Sequence, residues 1–147
     1  MKIIEITELT PLQEKQLIEV WEESVKSTHF FLSEAEIQKI KAMVPQALNG
    51  VSHLIVAASE DVNFVAFMGI EKQKLEMLFI YPEEQGKGLG RKLLQYAMEK
   101  YAVNELTVNE ENGLAKDFYE HMGFSVYKRT DHDEEGNPYP LLYMKRV

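Results

Sequence analysis

The chain has 147 residues, of which 45% are hydrophobic, enough for one core of ordinary domain size. It contains no cysteine, which excludes disulfides, thiolate metal sites and a cysteine nucleophile and fits a reducing compartment, so we expect a cytoplasmic protein. The formal net charge of -8 disfavours nucleic acid as a partner. No apolar run approaches the about 20 residues of a membrane helix, and the N-terminus lacks the apolar stretch of a signal peptide, so we expect no membrane partner.

Capping residues predict two helices early in the chain. Residues 10–13 (TPLQ) combine a cap, a proline at the first helical position and a glutamine that completes a capping box, so a helix begins there and runs to about Ser27. Residues 33–36 (SEAE) repeat the capping-box pattern and begin a second helix, which we expect Pro45 to end. The link between these helices, residues 28–32, is rich in aromatic side chains.

Strand-like segments occur along the whole chain. They are residues 2–8, 53–59, 64–71, 75–81, 105–109, 124–130 and 139–145. Residues 77–80 are apolar without alternation, which predicts a central strand covered on both faces or a bulge that shifts the register. Two further helices are predicted, one from the glycine-rich segment to about Ala102 and one striped by Leu114, Phe118 and Met122. This order predicts a single α/β (α+β) domain, residues 1–147, with a mixed sheet and helices on both faces.

A glycine-rich segment, residues 81–91 (YPEEQGKGLGR), lies between the predicted central strand and a helix start. Its glycines let the backbone approach a ligand closely, and the helix N-terminus attracts an anion. The Walker pattern is excluded because Gly88 stands where serine or threonine is required, and the dinucleotide fingerprint fails because Arg91 stands where its third glycine belongs. The segment therefore indicates a phosphate-binding loop, with a plain strand-to-helix turn as the alternative.

Two motifs together carry a resemblance to a known family. Gln85-x-x-Gly88-x-Gly90 resembles the pyrophosphate loop of GNAT acetyltransferases, and residues 109–124 (NEENGLAKDFYEHMGF) resemble the second half of the same family. Residues 21–33 and 131–142 are similar to a small, poorly characterised bacterial subgroup of it. The resemblance implies the GNAT fold, with a mostly antiparallel sheet of about seven strands, and the transfer of an acetyl group from acetyl-CoA to a primary amine by direct attack.

The resemblance also implies roles for individual residues. The pantetheine arm of the coenzyme would lie along the strand that contains Phe79 and Ile80, and Asn112 would contact it. The residues implied to bind the pyrophosphate are Gln85, Gly86, Lys87, Gly88, Leu89, Gly90 and Arg91. The residues implied to serve catalysis are Tyr119, near the coenzyme sulfur, Glu76, as the base, and Asn109, on a strand expected to splay from its neighbour.

The residues themselves leave some of these roles open. Tyr119 is rotated by about 100° from Phe118 on a helix, so its phenol is expected to leave the core, although it could be only a boundary residue. His29 competes with Glu76 as the base. The acceptor pocket is predicted to involve the aromatic link and the tail of the chain, with core packing as the alternative for Trp21. Its candidate residues are Trp21, His29, Phe30, Phe31 and Tyr139.

The acceptor is expected to be a small-molecule amine, bound by a monomer or a homodimer. Two alternatives stay open, a protein or peptide N-acetyltransferase and a noncatalytic acyl-CoA sensor. His53, His121 and His132 show no metal-ligand spacing, so no metal is predicted.

Overall fold

The computed structural model describes residues 1–147. Its elements are β1 (Lys2–Ile6), α1 (Pro11–Thr28), α2 (Glu34–Lys41), α3 (Val44–Gly50), β2 (His53–Ala58), β3 (Phe64–Glu71), β4 (Lys74–Ile80), α4 (Leu89–Tyr101), β5 (Glu105–Asn109), α5 (Gly113–His121), β6 (Phe124–Thr130) and β7 (Leu141–Arg146). A short 3₁₀ turn, Pro82–Glu84, follows β4. None of the helices combines the length and the apolar character needed to cross a membrane.

One seven-stranded sheet runs through the molecule in the order β1-β2-β3-β4-β5-β7-β6. Only the pairing of β4 with β5 is parallel, and every other pair is antiparallel. Helices pack on both faces. This confirms the predicted fold class, a mixed and mostly antiparallel sheet with helices on both sides.

The two faces of the sheet have separate hydrophobic cores. One core packs α4 and α5 against the sheet and includes Leu93, Leu106 and Met144. The other packs α1, α2 and α3 and includes Leu17 and Phe67. Because α1 contacts β3 and β4 and lies away from β5 and β7, the face of the sheet that carries α1 is covered over one half and open over the other.

The structure confirms both predicted capping boxes and corrects the end of the second helix. Thr10 accepts a hydrogen bond from the Gln13 amide, and Ser33 accepts one from the Glu36 amide. The second helix stops at Lys41, and a separate helix, α3, begins at Val44. Pro45 thus lies in the first turn of α3, where its missing N–H is not needed, and it starts this helix with its neighbour instead of ending the previous one.

The buried face of α5 differs from the prediction. Leu114 is 80% exposed, whereas Tyr119 is only 8% exposed and its ring packs within 6.2 Å of Phe124, centre to centre. Phe118 and Met122 are partly buried against the same core. The buried face thus includes Tyr119 in addition to Phe118 and Met122 and leaves out Leu114, which lies in the first turn of α5. The Tyr119 ring therefore packs in the core, contrary to the expectation that the phenol leaves it, and only the hydroxyl oxygen reaches solvent.

The predicted irregularity of the central strand is a bulge. Gly69 lies opposite Met77 and Ile70 lies opposite Leu75, so Glu76 is the extra residue of β4. The bulge places Glu76 and Met77 on the α1 face, while Leu75 belongs to the core on the α4 face.

Candidate active site

A notch opens in the middle of the sheet where β4 and β5 separate. These strands pair only through Lys74 with Glu105 and Leu75 with Leu106. Beyond this point β4 continues to Ile80 and β5 continues to Asn109, and the two strands no longer pair with each other. The splayed strand expected from the resemblance is thus present in the structure, and the notch is lined by two unpaired strand edges.

The edge of β4 presents backbone groups to this notch. The Tyr81 amide donates to the Val65 carbonyl at 2.8 Å, so alternate residues of β4 bond to β3 and the residues between them point the other way. Leu78 and Ile80 therefore direct their N–H and C=O groups into the notch, whereas Phe79 pairs with Phe67. Sequence reasoning named Phe79 and missed Leu78, because which residues face outward depends on register.

The glycine-rich segment connects β4 to α4 as a loop of free amides. Gly86 and Gly88 have φ values of 77° and 84°, the left-handed region that glycine adopts without strain. No backbone or side-chain acceptor within the chain receives a hydrogen bond from the amides of residues 86–91. Gln85 holds the loop against β4 by donating from Nε2 to the Ile80 carbonyl at 2.9 Å. Consecutive free amides at a helix N-terminus form a site suited to a phosphate group.

The side chains of this loop differ in their surroundings. Lys87 and Arg91 are exposed and form no ion pair, so both cations are available to an anion. Leu89 is buried and anchors the start of α4 in the core. Gly90 leaves room beside β4, since a Cβ there would lie 3.2 Å from Ile80 Cδ1 and 3.5 Å from Phe118 Cζ. Phe118 thus brings α5 against the loop.

Tyr119 lies on the α4 side of the sheet, next to Phe118. Its hydroxyl has no hydrogen-bond partner in the chain, and no buried polar side-chain atom of the protein lacks one, so the hydroxyl oxygen retains contact with solvent. Burial raises the pKa of the Tyr119 phenol well above its usual value. At neutral pH the phenol is therefore a protonated, unengaged hydrogen-bond donor.

Glu76 lies on the opposite face, and its side chain is one-third exposed. Burial raises the pKa of this carboxyl, while the Lys74 ammonium 3.9 Å away lowers it and the carboxylates of Glu134 and Glu71 raise it further. An elevated pKa brings a carboxylate nearer to the range in which it can accept a proton effectively.

The competing base, His29, lies in the link between α1 and α2. The His29 ring is largely enclosed, which lowers its pKa, and its Nδ1 lies 2.7 Å from the Thr28 hydroxyl.

Two asparagines shape the turn from β5 into α5. The Asn109 side-chain oxygen accepts from the Glu111 amide at 3.0 Å, and its carbonyl accepts from the Asn112 amide at 3.0 Å. Asn112 caps α5, with its side-chain oxygen accepting from the Ala115 amide at 3.3 Å. Both side-chain oxygens are therefore engaged, and the side-chain NH₂ groups are the atoms left for a ligand.

On the α1 face, aromatic side chains of the link between α1 and α2 contact an aromatic side chain just before β7. The Phe31 ring, in the link between α1 and α2, lies 5.4 Å from His29 and 5.9 Å from Tyr139, which precedes β7. These three predicted residues are thus brought together. Phe30 points outward and is 82% exposed.

Trp21 does not line this site. It is 5% exposed and packs edge-on against Phe79 with 6.5 Å between ring centres, so it is a core residue and its predicted contact with the acceptor is corrected.

The candidate site has side chains on both faces of the sheet. The Glu76 carboxylate and the rings of Phe31 and Tyr139 lie on one face of the notch, and the Tyr119 phenol lies on the other. The glycine-rich loop lies at the far end of β4. No three His, Asp or Glu side chains are grouped so that they could hold a metal ion.

Comparison with known proteins agrees with this geometry. A family model described as an acetyltransferase (GNAT) domain matches residues 14–145. The chain is 37% identical over 128 residues to the peptidyl-lysine N-acetyltransferase YjaB of Salmonella typhimurium, covering 87% of this chain and 88% of that protein.

Solved structures give the same result. The solution structure of apo YjaB from Escherichia coli has a TM-score of 0.87 and 33% identity and covers 100% of this chain and 99% of that one. The paiA N-acetyltransferase of Thermoplasma acidophilum, crystallised with coenzyme A, has a TM-score of 0.66 and 25% identity over the full length of both chains.

Proposed function

Because the chain belongs to the GNAT family of acetyltransferases, which use acetyl-CoA as co-substrate, we propose that it acetylates the side-chain amine of lysine residues in proteins or peptides. The observation that carries the choice of acceptor is its likeness to YjaB, a protein named as a peptidyl-lysine N-acetyltransferase, along 87% of the chain. The small-molecule acceptor predicted from the sequence is not favoured by these relatives. A noncatalytic sensor is also not favoured, since the relatives are named as enzymes.

The residues around the notch fit the coenzyme. The free amides of residues 86–91, with Lys87 and Arg91, would hold the diphosphate. The N–H and C=O groups of Leu78 and the N–H group of Ile80, whose C=O already accepts from Gln85, would pair with the amides of the pantetheine arm, as an added strand does. The bound coenzyme supplies an acetyl group activated as a thioester.

On the α1 face, Glu76 would prepare the acceptor. A lysine amine with a pKa of about 10.4 is almost wholly protonated at neutral pH, so it must lose a proton before it can attack. The Glu76 carboxylate, directly or through a water molecule, would accept this proton. Its pKa is raised chiefly by burial, which makes it a stronger base than a fully exposed carboxylate.

On the α4 face, Tyr119 would serve the departing sulfur. As the amine nitrogen bonds to the acetyl carbon, the carbon–sulfur bond breaks and negative charge develops on sulfur. The Tyr119 hydroxyl, protonated and without a partner, would donate a hydrogen bond to that sulfur. Because burial moves the phenol pKa further above the thiol value of about 8.5, it acts mainly by hydrogen bonding.

The shape of the acceptor side suits a segment of polypeptide. Beside the rings of Phe31 and Tyr139, no helix covers the α1 face of strands β5, β7 and β6. An open sheet face can support several residues of an extended chain around the acceptor lysine.

The test compares acceptors under the same conditions. Thiol release from acetyl-CoA is measured with a lysine peptide blocked at its α-amine, free lysine, a polyamine and a small arylalkylamine, and the products are identified by mass spectrometry. We expect kcat/KM for the peptide to exceed that for every small amine by at least about tenfold, because only the peptide uses the open face. Faster turnover of a small amine would overturn the proposal.

A further inference from the structure

The open half of the sheet carries lysine side chains whose ammonium groups lie over tyrosine rings. This group of residues is here called the lysine–tyrosine surface. It consists of Lys74, Tyr127, Lys128, Tyr143 and Lys145. On β7, Leu142 and Met144 point into the core on the α4 face, so Tyr143 and Lys145 between and beyond them point to the open face. Lys74 and Lys128 lie over the Tyr143 ring at 6.0 and 4.8 Å, and Lys145 lies over the Tyr127 ring at 4.5 Å.

The charges of this surface are incompletely balanced. Lys74 pairs with Glu134 at 3.3 Å and Glu76 at 3.9 Å. Lys128 and Lys145 have no carboxylate within ion-pair distance, and only tyrosine rings hold them in place. Glu105 lies opposite Lys145 in the pairing of β5 with β7 and accepts a hydrogen bond from the Tyr127 hydroxyl, so its negative charge offsets part of the charge of Lys145 and leaves Lys128 as the least balanced cation. Two lysines that form no ion pair, in a chain of net charge -8, offer a local site for a negative group.

This surface lies level with the point where the notch opens. Lys128 is opposite Tyr143 and Tyr143 is opposite Thr107, the residue after the last β5 residue that pairs with β4. Glu76 follows the corresponding residue of β4. Between Glu76 on β4 and Lys128 on β6 lie three strand spacings, about 14 Å in total. An extended peptide covers this distance in about four residues.

We propose that the lysine–tyrosine surface binds an acidic side chain of the substrate peptide, about three to five residues from the acceptor lysine. This inference rests on the proposed function, since it requires a peptide acceptor. Near the notch the peptide would meet negative charge, at Glu76 and Glu134. Farther along the open face it would meet positive charge, at Lys128 and Lys145. This difference in charge then fixes the direction of the peptide across the sheet. Tyr143 lies between them as an apolar support.

The neighbouring sheet edge is unsuited to a second copy of the chain. β6 is the edge strand, but Tyr127 is a bulge between Val126 and Lys128 in its pairing with β7. Bulges and lysines at an edge are features that oppose strand-to-strand association. A flanking peptide segment that lies on the face, not along the edge, uses the surface without this obstacle.

The experiment uses peptides blocked at the α-amine with one lysine and with aspartate, asparagine or lysine placed four residues before or after it. Initial rates give kcat and KM for the wild type, the double variant Lys128→Gln/Lys145→Gln, and a control double variant, Lys2→Gln/Lys15→Gln. The control removes the same charge from β1 and α1, where both lysines are exposed and form no ion pair. Circular dichroism checks the fold of each variant.

For the wild type we expect a lower KM for the aspartate peptide on one side of the lysine, by about fivefold for each lysine engaged at low salt, falling as salt is added. The Lys128→Gln/Lys145→Gln variant should lose this preference and keep the rate for the asparagine peptide, and the control should keep both.

Equal KM values for the aspartate and asparagine peptides would overturn the inference and leave the proposed function standing. A preference that survives in the Lys128→Gln/Lys145→Gln variant would also overturn it, as would a dimer that dissociates in this variant. No peptide acetylation by the wild type would overturn both proposals.

Discussion

Replacing Tyr119 by phenylalanine removes one oxygen atom from a site where that atom has no partner in the chain. The ring would keep its packing against Phe118, 5.2 Å away, and Phe124, 6.2 Å away. Because no hydrogen bond of the folded protein is lost, we expect the free energy of unfolding to change by less than about 0.5 kcal/mol. The affinity for coenzyme A should also stay within about twofold, since its diphosphate site lies in residues 86–91.

The effect on turnover should be large. Removing one hydrogen-bond donor to a developing negative charge typically slows the chemical step by a factor on the order of 100 or more, about 2.7 kcal/mol in activation free energy. Burial raises the pKa of the Tyr119 phenol, so the phenol stays protonated and able to donate over the whole working pH range. The loss of rate in Tyr119→Phe should therefore be the same from pH 6 to 9.

Stopped-flow thiol release under single-turnover conditions measures this step, and calorimetry measures coenzyme affinity. The matched control is Tyr96→Phe, because the Tyr96 hydroxyl accepts from Lys100 on α4, away from the notch. An unchanged single-turnover rate in Tyr119→Phe would refute the reasoning and remove Tyr119 from catalysis. A loss of coenzyme affinity or stability equal to the loss of rate would assign it a structural role instead.

Further predictions concern the loop and the base. Gly88→Ala should lose about 1–2 kcal/mol of stability because φ is 84° at this position, and calorimetry should show coenzyme A binding weakened at least about tenfold. The control Gly136→Ala, at φ 83° in the tail, should lose similar stability with unchanged coenzyme binding. Gln85→Ala should weaken coenzyme binding by a few-fold, since the bond that holds the loop to β4 is lost; an unchanged affinity would contradict this. The pKa of Glu76 is raised, so kcat/KM of the wild type should fall as the pH drops through a value above 4.5, because the base becomes protonated. Glu76→Gln should be slower and should lack this fall in kcat/KM at low pH. The same pH profile in the wild type and in Glu76→Gln would exclude Glu76 as the base.

Local signals made much of the fold predictable. The capping residues Thr10 and Ser33 begin α1 and α2 where expected, because the side-chain bonds they form are determined by the residues within one turn. The glycines of residues 86–90 likewise required a loop before α4, since their φ values are a property of the local backbone. The unalternating run at residues 77–80 predicted either burial on both faces or a bulge, and β4 has both.

Features that depend on tertiary contacts were harder to predict. Whether Leu114 or Tyr119 is buried depends on where α5 ends over the sheet, which periodicity in one helix does not reveal. The outward direction of Leu78 depends on its register with β3. The cations at Lys128 and Lys145 are distant in sequence from the notch and reach it only through the order of strands β5, β7 and β6.

The central claim is that the amides of residues 86–91 receive the diphosphate of coenzyme A. The most direct measurement is a ¹H–¹⁵N NMR titration with coenzyme A and, in parallel, with pantetheine, which lacks the diphosphate. We expect the amides of residues 86–91 to shift strongly with coenzyme A alone, and those of Leu78 and Ile80 to shift with both ligands. Saturation with coenzyme A that leaves the loop amides unmoved would contradict the account.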